Sequence, residues 1–180
     1  VAVTALDATA AADLSSITNS GTRTAAVSDN VTFTGNLGTF TTTVATTKTM
    51  TAAANVVAGK TIDKAGTGAL AVQIATADAA VDLTTIAGSA LSTITVTDNV
   101  TFTGTLDDAV KTSVNGTKTL TAAASVVNGK TIDGAGNVAV TALDATAAAN
   151  LSTITNSGTR TAAVSDNVTF TGNLGTFTTT

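Results

Sequence analysis

The sequence contains no cysteine, histidine, proline, tryptophan, tyrosine or glutamate, and each absence closes off a class of structure or chemistry. Without cysteine there are no disulfides, thiol nucleophiles or thiolate zinc sites. Without histidine the commonest acid–base relay and most transition-metal sites are missing. Five phenylalanines are the only aromatics in 180 residues, so an aromatic-rich globular core cannot be assembled. Alanine and valine dominate the 43% of hydrophobic residues, which suits a stack of thin layers. Lack of proline fits a backbone engaged in ladders on both sides, because proline removes a donor.

Charge is also sparse. Eight basic residues, scattered singly from Arg23 to Arg160, leave a net charge of −4 and no basic footprint for nucleic acid or an anionic membrane. No run of about 18 apolar residues and no charged-then-apolar leader occurs, so neither a membrane span nor a signal peptide is expected within these residues.

What is present leans to β structure. Threonine favours strands, and aspartate, the only acidic residue used, favours turns. Alanine runs at residues 10–12, 52–54 and 122–124 are the contrary signal, since alanine is the best helix former. The repeats outweigh them.

Residues 1–43 recur as residues 138–180 with two differences, Asp13 to Asn150 and Ser16 to Thr153. VSDNVTFTG at Val27 returns at Val96 with one change and again at Val164, and TAAANVVAGKTIDKAG at Thr51 returns as TAAASVVNGKTIDGAG at Thr121. The array divides into super-repeats of about 69 residues, at residues 1–69, 70–137 and an incomplete 138–180. An apolar anchor recurs within them roughly every 23 residues, at Val3, Val27, Met50, Val72, Val96, Leu120, Val140 and Val164. Around it the pattern alternates, as in Thr49-Met50-Thr51 and Thr119-Leu120-Thr121, which predicts half-buried strands with threonine outside. A second apolar wall follows, with Leu14 and Ile17, Leu37 and Phe40, Ile62, Leu83 and Ile86, Ile132, and Leu151 and Ile154, and corners are marked by Ser28-Asp29-Asn30, Gly35-Asn36 and Ala58-Gly59-Lys60.

Strands separated by corners, repeating without a helix between them, predict an all-β parallel β-helix or β-solenoid of about eight rungs of roughly 23 residues. The alternative is a string of small β-sandwich repeats. Residues 1–180 read as one repeat array and as a window on a longer one, because no polar capping repeat is visible.

No catalytic, cofactor-binding or metal-binding residue is assigned, and the chain is not expected to be an enzyme. Asp29, Asp98 and Asp166 occupy equivalent places only every third rung, which at about 4.8 Å per layer is too far apart for a hydrolytic pair; they read as turn formers. Asp107-Asp108 breaks the repeat and is the weak candidate for calcium, although neither an EF-hand loop nor a GGxGxD nonapeptide is present. Outward Thr-x-Thr triplets resemble the surface of ice-binding solenoids, but alanine interrupts the ladder at Ala2, Ala26, Ala71, Ala139 and Ala163. Asn-x-Ser/Thr patterns fall at Asn30, Asn99, Asn115, Asn150 and Asn167, where turn chemistry is the competing explanation.

With its TDNVTFTG and NGKTIDGAGN strings and near-identical tandem units, the whole chain resembles the repeat regions of very large bacterial surface proteins: adhesins, sheath or surface-layer components and extracellular fibres. That resemblance implies a structural, extracellular or cell-surface role, with self-association end to end or laterally into filaments and cell-surface glycans as possible contacts. Alternatives are an ice-binding solenoid and a polysaccharide-binding or -cleaving β-helix.

Overall fold

A computed structural model describes all of residues 1–180. Ladder-bonded residues make up 37% of the chain, and every pairing between strands is parallel. The chain is therefore a parallel β fold, which an array of antiparallel sandwiches would not produce. It forms two compact units, Val1–Gln73 with Thr84–Thr93 and Ile74–Leu83 with Ile94–Thr180.

In the first unit β1 (Ala2–Val3), β2 (Thr24–Val27), β3 (Val31–Phe33), β4 (Thr41–Val44), β5 (Thr49–Ala53), β6 (Ile62–Lys64) and β7 (Ala69–Ile74), whose last residue belongs to the second unit, follow in chain order. They form two parallel ladders, β1-β2-β4-β6 and β3-β5-β7. From β2 onward successive strands alternate between the ladders, so β4, β5, β6 and β7 each pair with the strand two before, roughly 20 residues back.

The second unit begins with the same alternation. After β8 (Leu91–Val96), whose last residues belong to this unit, come β9 (Val100–Phe102), β10 (Thr112–Val114), β11 (Thr119–Ala123), β12 (Ile132–Gly134), β13 (Asn137–Thr141), β14 (Arg160–Ala162) and β15 (Thr178–Thr179). Here β8, β10 and β12 pair in one ladder and β9, β11, β13, β14 and β15 in another, so the alternation holds as far as β13, after which β14 and β15 continue the same ladder.

The alternation expected from the Thr-x-Thr triplets is present. In β5, Met50 and Ala52 are buried while Thr49 and Thr51 are half-exposed, and β11 repeats this with Leu120 and Ala122 inside. Phe33 and Phe102 are fully buried. Each large apolar side chain so placed contributes about 1.5–3 kcal/mol through its burial. Most of the second wall is internal, with Leu37, Ile62, Leu83, Ile132 and Leu151 fully buried, whereas Ile17 and Ile86 are only half-buried.

The anchor residues do not form one column. Val3 and Val27 lie in one ladder and Met50 and Val72 in another, with Val27 paired to Val44 and Met50 to Val31 and Leu70. Sequence similarity aligns copies of a motif, whereas the ladder aligns each strand with its physical neighbour, which carries a different variant. Offsets between paired strands accordingly run from about 17 residues, Thr24 to Thr41, to about 22, Ala2 to Thr24, a range that only overlaps the lower end of the 20 to 24 residues between anchors.

The alanine runs express both their tendencies. Ala52 and Ala53 end β5 and Ala122 and Ala123 end β11, but the next alanine opens a single helical turn, α1 (Ala54–Val57) and α2 (Ala124–Val127). Such turns are far too short to hold themselves, and their stability comes from burying Ala54, Val57, Ala124 and Val127.

The glycine ending VTFTG has a packing cause. A Cβ on Gly35, Gly104 or Gly172 would sit 2.1, 2.0 or 2.1 Å from the carbonyl oxygen of Ala12, Val81 or Ala149. Gly104→Ala is expected to destabilise the protein by about 1–3 kcal/mol or more, whereas Gly116→Ala, whose nearest neighbour would be the Ala135 Cβ at 3.6 Å, should stay within about 0.5 kcal/mol. Urea denaturation of the two variants checks the contrast.

Candidate functional site

The polar residues of the repeated motifs are concentrated at the corners. Between β2 and β3, Asp29 Oδ1 accepts the Asn30 N–H at 2.8 Å and the Lys48 ammonium at 2.9 Å, while Asn30 Oδ1 accepts the Thr49 N–H at 2.8 Å. The second copy repeats this: Lys118 donates to Asp98 at 3.4 Å, and Asn99 Oδ1 accepts the Thr119 N–H at 2.9 Å. Aspartate and asparagine thus reach across to the stretch about 20 residues later, the aspartate by charge and the asparagine by a backbone bond. In the third copy Asp166 accepts the Asn167 N–H at 2.8 Å.

A second clamp was not apparent from the sequence. Asp7 Oδ1 accepts both the backbone N–H and the hydroxyl of Ser28, at 2.6 and 3.0 Å, and Asp144 holds Ser165 in the same way, at 3.0 Å in both bonds. The signal was there, in the repeated Leu-Asp-Ala-Thr at residues 6–9 and 143–146, but nothing local says that the partner lies one layer on.

These contacts hold several carboxyls below the usual carboxylate range. The Ser28 N–H does so for Asp7, the Ser15 hydroxyl for Asp13, the Lys48 ammonium for Asp29 and the Ser165 N–H for Asp144. Nearby Asp7 opposes the ionisation of Asp29 only weakly. The Asp29 side chain is 69% exposed against Lys48, an environment that favours the charged base over a shared proton, and the Asp98 side chain is 52% exposed beside Lys118.

Asp107 and Asp108 turn away from one another chemically. Asp107 Oδ1 accepts the N–H groups of Ala109 and Val110 at 2.7 and 2.9 Å, closing its own turn, while Asp108 is ion-paired with Lys130. Lys130 also donates to the Leu106 carbonyl at 2.7 Å. Calcium would have to displace that lysine, and nowhere do three or more acidic side chains gather at metal-binding distance. A further carboxylate, Asp78, is buried and accepts the Ala75 N–H at 2.9 Å, closing the turn Thr76–Asp78.

Two shallow hollows lie on the first unit. One, of about 180 Å³, is lined by Asn30, Val31, Thr32, Thr49 and Thr51; the other, of about 290 Å³, lies beside Phe40 and Lys60, whose ammonium is bound to the Gly38 carbonyl at 2.7 Å. On the second unit the register aligns Thr101, Thr121, Ala139, Thr161 and Thr178 in one outward column. Among the candidate glycosylation sites, Asn30, Asn99 and Asn150 have side-chain oxygens engaged, the last by the N–H and hydroxyl of Ser152, whereas Asn115 lies exposed in a turn. No helix is long and apolar enough to cross a membrane.

Carboxyls depressed in the folded state stabilise it above their unfolded values, and that contribution disappears as pH falls through the lower folded values. The melting temperature should therefore hold from neutrality down to about pH 5 and fall below about pH 4, as followed by circular dichroism. Within the corner motif, Asn99→Ala should cost about 0.5–1.5 kcal/mol, because it strips a partner from a backbone N–H. Asp98→Ala, which breaks an exposed ion pair, should cost less in the same urea titrations. No known protein family, curated protein or solved structure matches the chain.

Proposed function

We propose that this chain is a load-carrying repeat segment of a structural protein, a surface-attached or extracellular filament whose parallel ladders close into β-solenoid coils. The observation that carries this reading is where the repeated polar side chains are committed. Asp29 to Lys48 and Asp98 to Lys118, Asn30 to Thr49 and Asn99 to Thr119, and Asp7 to Ser28 and Asp144 to Ser165 all join one layer to the next. A motif retained for catalysis would aim its polar atoms at a common point; here they recur along the chain as staples. In such an array each added repeat contributes its own stability and its interface with its neighbours, so duplication lengthens the element without redesign. The resemblance to repeat regions of bacterial surface proteins supports the same role, with self-association into fibres and contact with surface glycans as its partners.

Electron microscopy of the assembled protein tests this. Filaments with a layer spacing near 4.8 Å along their axis are expected; discrete globular particles without that repeat would overturn it.

The outward column at Thr101, Thr121, Thr161 and Thr178 favours a second reading, an ice-binding face, because in-register strands space those hydroxyls at about 4.8 Å. Ala139 interrupts the column. Ice recrystallisation in the presence of the protein separates the two: the structural role predicts no inhibition, and inhibition lost in Thr121→Lys would establish the ice-binding face.

A further inference from the structure

The chain contains two Asn-Gly dipeptides, Asn115-Gly116 and Asn128-Gly129, both in the second super-repeat. The first super-repeat has Ala45-Thr46 and Ala58-Gly59 at the matching positions. In an Asn-Gly sequence the absence of a Cβ on the second residue lets its backbone nitrogen approach the asparagine side-chain carbon with little hindrance. That nitrogen attacks Cγ, a new C–N bond closes a five-membered succinimide, and the amide nitrogen leaves as ammonia. Solvent water then opens the ring at either carbonyl, giving aspartate or isoaspartate. The net change is asparagine plus water to acid plus ammonia, with no oxidant or enzyme required.

The fold treats the two dipeptides differently. At the second, Asn128 has φ −56° and ψ 119° and Gly129 has φ 71°. The Gly129 N–H donates to the Asn150 carbonyl at 2.9 Å, and Asn128 Oδ1 accepts the Asn150 N–H at 2.8 Å. Nucleophile and electrophile are thus both held by the same residue of the neighbouring layer, and reaction there must wait for that layer to open. At the first dipeptide, Lys118 N–H donates to the Asn115 carbonyl at 2.9 Å and closes a turn around Gly116. Asn115 and Gly116 are both exposed, the Gly116 N–H and the Asn115 amide make no hydrogen bond, and a Cβ on Gly116 would meet nothing nearer than 3.6 Å.

We propose that Asn115 is a site of spontaneous modification, converting to aspartate and isoaspartate in the folded protein, while the chemically equivalent Asn128 is protected by its ladder contacts. Each conversion adds one negative charge at the corner between β10 and β11, and the isoaspartate route also lengthens the main chain there by one methylene.

Trypsin separates the two asparagines, because Lys111, Lys118 and Lys130 bracket them on different peptides. Protein from a host that does not glycosylate is incubated at mildly alkaline pH, native and in urea, and the amide-to-acid mass change is followed on each peptide. In urea the two should react at comparable rates. In the folded protein Asn115 should keep close to its urea rate while Asn128 slows by about tenfold or more. Gly116→Ala should slow the loss at Asn115 and leave Asn128 unchanged. Equal rates at both sites in the native protein, or an Asn115 slowed as much as Asn128, would overturn the proposal.

Discussion

Each strand in this protein depends on a parallel backbone ladder to a stretch of chain roughly 20 residues away, as Thr49 does on Ala69 and Thr119 on Asn137. Strands here are two to six residues long, too short to be stable by themselves. Small side chains follow from this arrangement. Layers at ladder spacing leave room inside for valine, alanine and a few larger residues such as Met50, Leu120, Phe33 and Phe102, all buried.

Where the chain turns, the ladder is interrupted and its backbone groups need other partners. The corner residues supply them. Asn30 and Asn99 cap the N–H groups of Thr49 and Thr119, and Asp7 and Asp144 cap those of Ser28 and Ser165. Gly35, Gly104 and Gly172 yield the space in which one layer's backbone passes under the carbonyl of another. In the first two copies of the motif aspartate and asparagine staple, valine and phenylalanine fill, and glycine makes way, whereas in the third Asp166 accepts the N–H of its own neighbour Asn167, and Val168 and Phe170 are only half-buried. The proposed structural role rests on these recurring contacts.

The extended period-two pattern, the threonine-outside arrangement, the corners and the second apolar wall were legible in the residues, because each depends on neighbours within a few positions. The register was not. Val27 and Met50 look equivalent in the sequence but pair in different ladders, because the partner of a strand is set by how many residues the intervening loops consume. The Asp7 to Ser28 clamp was hidden for the same reason.

Residues 1–43 and 138–180 separate the two kinds of information most cleanly, being nearly the same sequence in two surroundings. What the residues by themselves determined is preserved in both: Arg23 and Arg160 donate to the carbonyls of Ile17 and Ile154, Asp13 and Asn150 bind Ser15 and Ser152, Asn36 and Asn173 cap Gly38 and Gly175, and Leu6 and Leu143 are buried. What the neighbouring layer decides differs. Val-Thr-Phe is strand β3 at residues 31–33 but no strand at 168–170; Asn19 is exposed, whereas Asn156 is buried with its amide on the Gly136 carbonyl at 2.6 Å. Ala5 has φ −147°, whereas Ala142 is left-handed at φ 52°. Bonds that close within a few residues travel with the sequence, while a ladder exists only where a second stretch of backbone is present to complete it.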